Sequence, residues 1–181
     1  MGNIKVGNNE ISVGAILIAV GALAALISLF LSYVNYEYFA ILEWKTISMS
    51  GANVITGTLE LPGNAGEEIA WSFIHFAPLI VVITAIVGAI MAFVPMFTKI
   101  SNKKNYSIIV TVIMAISVIF AIIFVAMGGG EGLYTGDYAE IVKGMLETEL
   151  VKMGLGAGAF IGLIGAIVGL VGAGISLKES L

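Results

Sequence analysis

The sequence predicts an all-α membrane fold: a bundle of four transmembrane helices, with a small β-hairpin in its first outer loop and a short outer helix before its fourth span. Three observations point there. Of 181 residues, 59% are hydrophobic and 11% charged, whereas soluble domains carry about 25% charged residues. Four apolar stretches reach the roughly 20 residues that cross about 30 Å of hydrocarbon. In the last of them Gly158, Gly162, Gly165, Gly169 and Gly172 recur at spacings of four, three, four and three, which lines all five along one helix face. A glycine costs a water-exposed helix about 1 kcal/mol relative to alanine. Such a row belongs where lipid is the solvent and small residues let another helix come close.

The whole chain, 1–181, reads as one integral membrane domain. After a short polar lead, the first span covers 11–33 and is rich in small residues, among them Gly14, Ala15, Gly21, Ala22 and Ala25. Aligning 14–28 with 162–176 matches Gly14/Gly162, Val20/Val168, Gly21/Gly169, Ala25/Ala173, Ile27/Ile175 and Ser28/Ser176. A shared packing role explains that better than duplication. The first outer loop is 34–69. Tyr33, Tyr36, Tyr38, Phe39 and Trp44 crowd its start, as rings do at a headgroup interface. Strands are expected at 44–49 and 54–61 around a Ser50-Gly51-Ala52-Asn53 turn, with Pro62-Gly63-Asn64-Ala65-Gly66 ending the hairpin. Glu67 and Glu68 then suit the positive end of a helix dipole.

The second span is 70–97, with Pro78 expected to kink it, Pro95 to help end it, and Ala85, Ala89 and Ala92 giving a narrow small-residue strip. An inner connector, 98–105, leads to a β-branched third span at 106–127. The second outer loop, 128–150, opens on the flexible Gly128-Gly129-Gly130-Glu131-Gly132. Asp137-Tyr138-Ala139-Glu140 resembles a capping box, so a helix outside the bilayer is expected to follow and to run, bent at Gly154, into the fourth span at 151–176. Lys152 at that junction would snorkel. A short tail follows at 177–181.

Lysines set the orientation. Lys99, Lys103 and Lys104 fill the inner connector without an acid, while ten of the twelve acids lie on the outer loops. The positive-inside rule then places the connector and both termini in the cytoplasm of a multi-pass cell-membrane protein. The Asn105-Tyr106-Ser107 sequon falls on that inner side.

Several function classes are disfavoured. Zero cysteines remove disulfides, thiolate metal sites and cysteine nucleophiles. A net charge of −4 argues against nucleic acid. Ion-coupled machinery keeps ionisable groups within its spans; here only His75 and end-of-span tyrosines reach membrane depth, and Ser28, Thr84, Thr111 and Ser117 can each bond back to their own helix. A proton-carrying ring would need a mid-span carboxylate. No Gly-x-Ser-x-Gly element is present, and His75 lacks partners for a metal site. No catalytic residue, metal ligand or cofactor is expected, and no enzyme activity.

The glycine row is expected to pack inside the monomer against the first span. The alternative use is an intermolecular seam. Four spans, inner termini and a strand-bearing first outer loop, with Trp44-Lys45-Thr46-Ile47-Ser48 followed by Asn53-Val54-Ile55-Thr56, resemble the claudin group of tetraspan proteins. That group's Gly-Leu-Trp and paired cysteines have no counterpart here. The resemblance implies lateral self-association and an outward β-rich surface on which Trp44 contacts a partner. The leading expectation is therefore a non-enzymatic protein of membrane assembly or adhesion, whose partners are lipid and either copies of itself or other membrane subunits. The alternative is a passive pore or a lipid or small-molecule carrier.

Overall fold

The computed structural model describes residues 3–6, 9–40, 42–57, 72–148 and 151–181. Two short strands, β1 (Asn3–Val6) and β2 (Asn9–Ser12), pair antiparallel within the expected polar lead. Ser12 then caps helix α1 (Val13–Ser28), its side chain accepting from the Ala15 amide at 3.1 Å. The helix is shorter than the expected span. Leu29, Phe30 and Leu31 each bond back three residues, which tightens the chain out of the α-helix. From Ser32 the run Tyr-Val-Asn-Tyr-Glu-Tyr-Phe is rich in strand-forming residues. It makes β3 (Ser32–Ala40) rather than a helix end with interfacial rings.

The hairpin exists, but one strand earlier than expected. β3 pairs with β4 (Glu43–Ser50), from Ala40↔Glu43 to Ser32↔Ser50. Ser50 is no turn residue. Its side chain accepts from the Asn53 amide and caps helix α2 (Gly51–Thr56), which Gly57 ends at φ 66°. The short αL exit suits glycine, and Val54, expected in a strand, is buried on this helix. Residues 55 and 56 of that expected strand are on the same helix, while its residues 58–61, the Pro62–Gly66 turn residues, Glu67 and Glu68 lie outside the described residues.

A 3-10 turn (Phe73–Phe76) leads into α3 (Ala77–Phe97). Pro78 sits in the first turn of α3, where a missing N–H costs nothing, so it starts the helix instead of kinking it. Pro95 lies inside the last turns. Asn102 caps α4 (Lys103–Met127) through the Asn105 amide at 3.0 Å. Helix α5 (Asp137–Glu147) falls where an outer helix was expected, but its cap is Gly136 at φ 64° and no side chain closes a capping box. Asp137 and Glu140 instead stand in its first turn.

The expected bent continuation into the last helix is not formed. Residues Val151–Leu155 are a strand, β5, and α6 begins after it and runs over Ala157–Ser180. β5 pairs antiparallel with β3, Val34↔Leu155 through Tyr38↔Val151, giving the order β4-β3-β5. Backbone groups that a helix would satisfy locally are satisfied by the sheet. Gly156 makes the exit: its amide donates to the Tyr33 carbonyl at 2.8 Å, and a Cβ there would meet the Ser32 carbonyl.

The protein is thus mainly helical, with a small antiparallel sheet at one end. Three helices are long and apolar enough to cross a membrane: Phe73–Phe97, Lys103–Met127 and Ala157–Ser180. α1 is equally apolar but has 16 residues, about 24 Å at 1.5 Å per residue. In α6, and in α1 apart from Ile18, the usual burial is inverted, while α3 and α4 bury small residues together with Val81, Met114 and Phe124. Leu23, Ile90, Ile122 and Ile164 are more than half exposed, while Gly21, Ala25, Ala85, Gly165 and Ala166 are buried. Bulky apolar side chains outside and small ones inside are what a lipid solvent favours. The molecule is a membrane protein.

Candidate functional site

The glycine row of α6 is divided among three neighbours. Gly158, Gly165 and Gly172 lie over main-chain oxygens of α1. An added Cβ would stand 2.8 Å from the Ser28 carbonyl, 2.8 Å from the Gly21 carbonyl and 2.6 Å from the Gly14 carbonyl, respectively. The relation is returned. A Cβ on Gly14 would stand 2.6 Å from the Gly172 carbonyl, and one on Gly21 would strike that of Gly165. Both helices therefore repeat the contact every seven residues, running in opposite directions. Such closeness brings Cα–H groups onto carbonyl oxygens, and a heptad repeat keeps the contact line straight only in a left-handed supercoil.

The other two glycines do something different. Gly162 faces a hydroxyl pair: Ser28 Oγ and Tyr33 Oη are 2.8 Å apart, and a Cβ would come 2.7 Å from Oη. Ser28 also donates to the Ala25 carbonyl at 2.7 Å, so this fully buried hydroxyl is satisfied. Gly169 receives Met114 from α4, whose methyl group fills the space of a Cβ, while the sulfur of the same side chain occupies that of Gly88 on α3. Met114 is wholly buried. A flexible, polarisable side chain suits a gap between two glycines. Gly14 and Gly21 were visible as small residues of the first span. Nothing local in the sequence marked Gly88 or Met114.

Polar side chains of α4 tie helices together: Tyr106 donates to the Met91 carbonyl of α3, and Thr111 reaches the Ala173 carbonyl of α6 at 3.4 Å besides bonding back. Ser117 Oγ, fully buried on α4, donates to the Val81 carbonyl of α3 at 3.1 Å. Thr84 bonds to the Ile80 carbonyl of its own helix at 2.7 Å, and Thr111 to Ser107 at 2.8 Å. His75 is held on the 3-10 turn, Nδ1 2.5 Å from the Ser72 carbonyl and its ring 3.8 Å from that of Phe76. Among the described residues, no group of three acids or histidines is placed to hold a metal.

Neither a protein-family model nor a curated protein matches this chain. The β4-β3-β5 sheet presents an exposed apolar end. Trp44 lies on β4, 45% exposed, edge to face with Phe39 at 5.6 Å between centroids. Lys152, expected to snorkel, lies over the indole instead, Nζ 4.5 Å from the ring centre. Leu42 at the hairpin end is 90% exposed with φ 73°. That is an apolar knob at the end of a strand pair. Beneath it the sheet is anchored: Val34, Tyr36 and Met49 are buried with Leu133, Tyr134 and Val142. The Tyr36 and Tyr134 hydroxyls pair, and Asn35 Oδ1 accepts from Ser32 at 2.5 Å and Ser48 at 2.8 Å.

Proposed function

We propose that this chain is a non-enzymatic, four-helix integral membrane protein of assembly or adhesion, associating through its outer sheet with copies of itself or with other membrane subunits. The supporting observation is the exposed Phe39–Leu42–Trp44 knob on a strand continuous with the helix pair. Large rings at a solvent-facing tip are costly unless something covers them, and aromatic residues dominate the energetics of interfaces. β3 leaves α1 after a short turn, and β5 enters α6 through Gly156, so a load on the sheet passes to the glycine-locked helices.

In this reading α1 is the fourth span, reaching across a thin or locally thinned bilayer with Leu29, Phe30 and Leu31 extending its apolar length. The lysine-rich end faces the cytoplasm and the sheet faces outside. The claudin resemblance implies that Trp44 opens a strand pairing with the next; β4 pairs instead with β3 before it, and Asn53–Thr56 is helical, so that resemblance adds at most a prior and not a site. Native mass measurement in mild detergent tests the proposal. Oligomers or a stoichiometric complex that dissociate in Leu42→Asp and Trp44→Ala are expected. A strict monomer, alone after gentle extraction from native membranes, would overturn it.

A further inference from the structure

At the end of the bundle opposite the β4-β3-β5 sheet, the start of α1, the end of α3, the start of α4 and the end of α6 line an open cavity of about 510 Å³. Its inner wall is apolar: Ala15, Ile18 and Val110 are buried there, and Ala92 and Met96 adjoin them. Tyr106 is fixed in the wall, its hydroxyl donating to the Met91 carbonyl at 2.7 Å. Pro95 and Ile100 add to the apolar part, and the polar part of the lining holds Lys103 and Glu179 as its two charges together with serines that include Ser107 and Ser176. Lys103 and Glu179 are exposed and form no ion pair with each other; the described ion pair is Lys45–Glu43. Lys99, Lys104 and Lys178 cluster at the same end of the bundle.

This combination selects among amphiphiles. An apolar wall at the end of span-length helices accepts the start of an acyl or prenyl chain, and polar groups at one end of a pocket fix orientation. A headgroup with only a negative charge would gain from Lys103 and lose to Glu179. A zwitterion gains from both. A primary ammonium can donate hydrogen bonds to a carboxylate. A quaternary ammonium cannot, and it is recognised by aromatic cages, whereas Tyr106 is the only ring in this lining. We propose that the cavity binds a lipid whose headgroup joins a phosphate to a primary ammonium, with the phosphate at Lys103, Ser107 and Ser176, the ammonium at Glu179, and the chain against Ala92, Pro95, Met96 and Ile100. This is independent of what the outer sheet binds.

The test uses the full chain, purified in mild detergent and stripped of lipid. Dihexanoyl phosphatidylethanolamine, phosphatidylcholine and phosphatidylglycerol are titrated calorimetrically, with glycerophosphoethanolamine as the headgroup without chains. One ethanolamine lipid per chain is expected, held about fivefold tighter than the other two lipids, which is near the most that one exposed ion pair supplies. The chain-free headgroup should bind far more weakly. Glu179→Gln should erase the preference over phosphatidylglycerol, and Lys103→Gln should weaken all three lipids. Both side chains are exposed, so neither change threatens the fold, and an unaltered melting curve checks that. Absence of saturable binding, equal binding of glycerophosphoethanolamine, or a preference that survives Glu179→Gln would each overturn the proposal.

Discussion

The α1–α6 seam and the β4-β3-β5 sheet are built on opposite principles. In the seam, contact is made by leaving side chains out: Gly14 and Gly21 meet Gly172 and Gly165 backbone to backbone. In the sheet, contact is made by large side chains, with Tyr33 and Phe124 edge to face at 5.2 Å and Met49 and Tyr36 buried below β3 and β4. A carbonyl oxygen fixed in a helix cannot move aside for a methyl group, whereas a ring or thioether can turn. The seam should therefore tolerate almost no added atom, the Met114 junction should tolerate exchange of volume, and the sheet's exposed end should tolerate most changes without loss of fold.

The largest effect is expected at the centre of the seam. Gly165→Leu would drive its side chain into the Gly21 carbonyl and the Ala24 side chain and should part α1 from α6, at a cost above the roughly 1–3 kcal/mol usual for overpacking. Leu163→Ala, on a half-buried position of the same helix, should cost about 1–2 kcal/mol. Similar melting curves for the two in mild detergent would show that the glycine row does not govern packing.

At the junction, Met114→Ala empties the space between Gly88 and Gly169 and should cost about 2–4 kcal/mol. Gly88→Ala alone should also destabilise, because its methyl group meets the methionine sulfur. Combined with Met114→Val it should cost less than the sum of the two singles, since the new methyl group takes up vacated room. Strict additivity in a double-mutant cycle would mean that the two sites do not share a cavity. Ser117→Ala should follow at about 1 kcal/mol, the usual net value of one hydrogen bond. Its Val81 acceptor keeps its place in the α3 helix, so a larger loss would mark Ser117 as more than a tie.

The smallest effect belongs to the sheet surface. Lys152→Gln removes a cation from the Trp44 ring, a contact worth about 0.5–1 kcal/mol where exposed. The melt should hardly move, while Trp44 emission changes because its cationic neighbour is gone. A collapse of the fold would mean that Lys152 holds β5 on β3, and the contrast between seam and sheet would have to be redrawn.

How far the sequence was legible follows the same division. The glycine period, the apolar runs and the short helix near 137–147 are local patterns, and the structure forms helices over each. The hairpin was misplaced by one strand because Tyr33, Tyr36, Tyr38 and Phe39 are equally at home in a strand and at a lipid interface. Ser50 and Gly57, which suit a hairpin turn and loop, also cap a helix at both ends, and α2 formed between them. The role of Met114 was hidden because one methionine in a β-branched helix carries no local sign of two glycines facing it from other helices.

What the sequence determined by itself is the solvent and the seam. Lipid is selected by composition, and an unbroken row of small residues needs only the geometry of one helix to be aligned. What tertiary structure decided is β5. Residues 151–155 could have extended α6, as their apolar neighbours suggest. They are a strand because β3, more than a hundred positions earlier, presents an open edge at Val34 to Tyr38. Hydrogen bonds across that distance leave no periodicity in a five-residue segment. They are held by two strands that lead out of α1 and into α6, the helices whose glycines meet backbone to backbone.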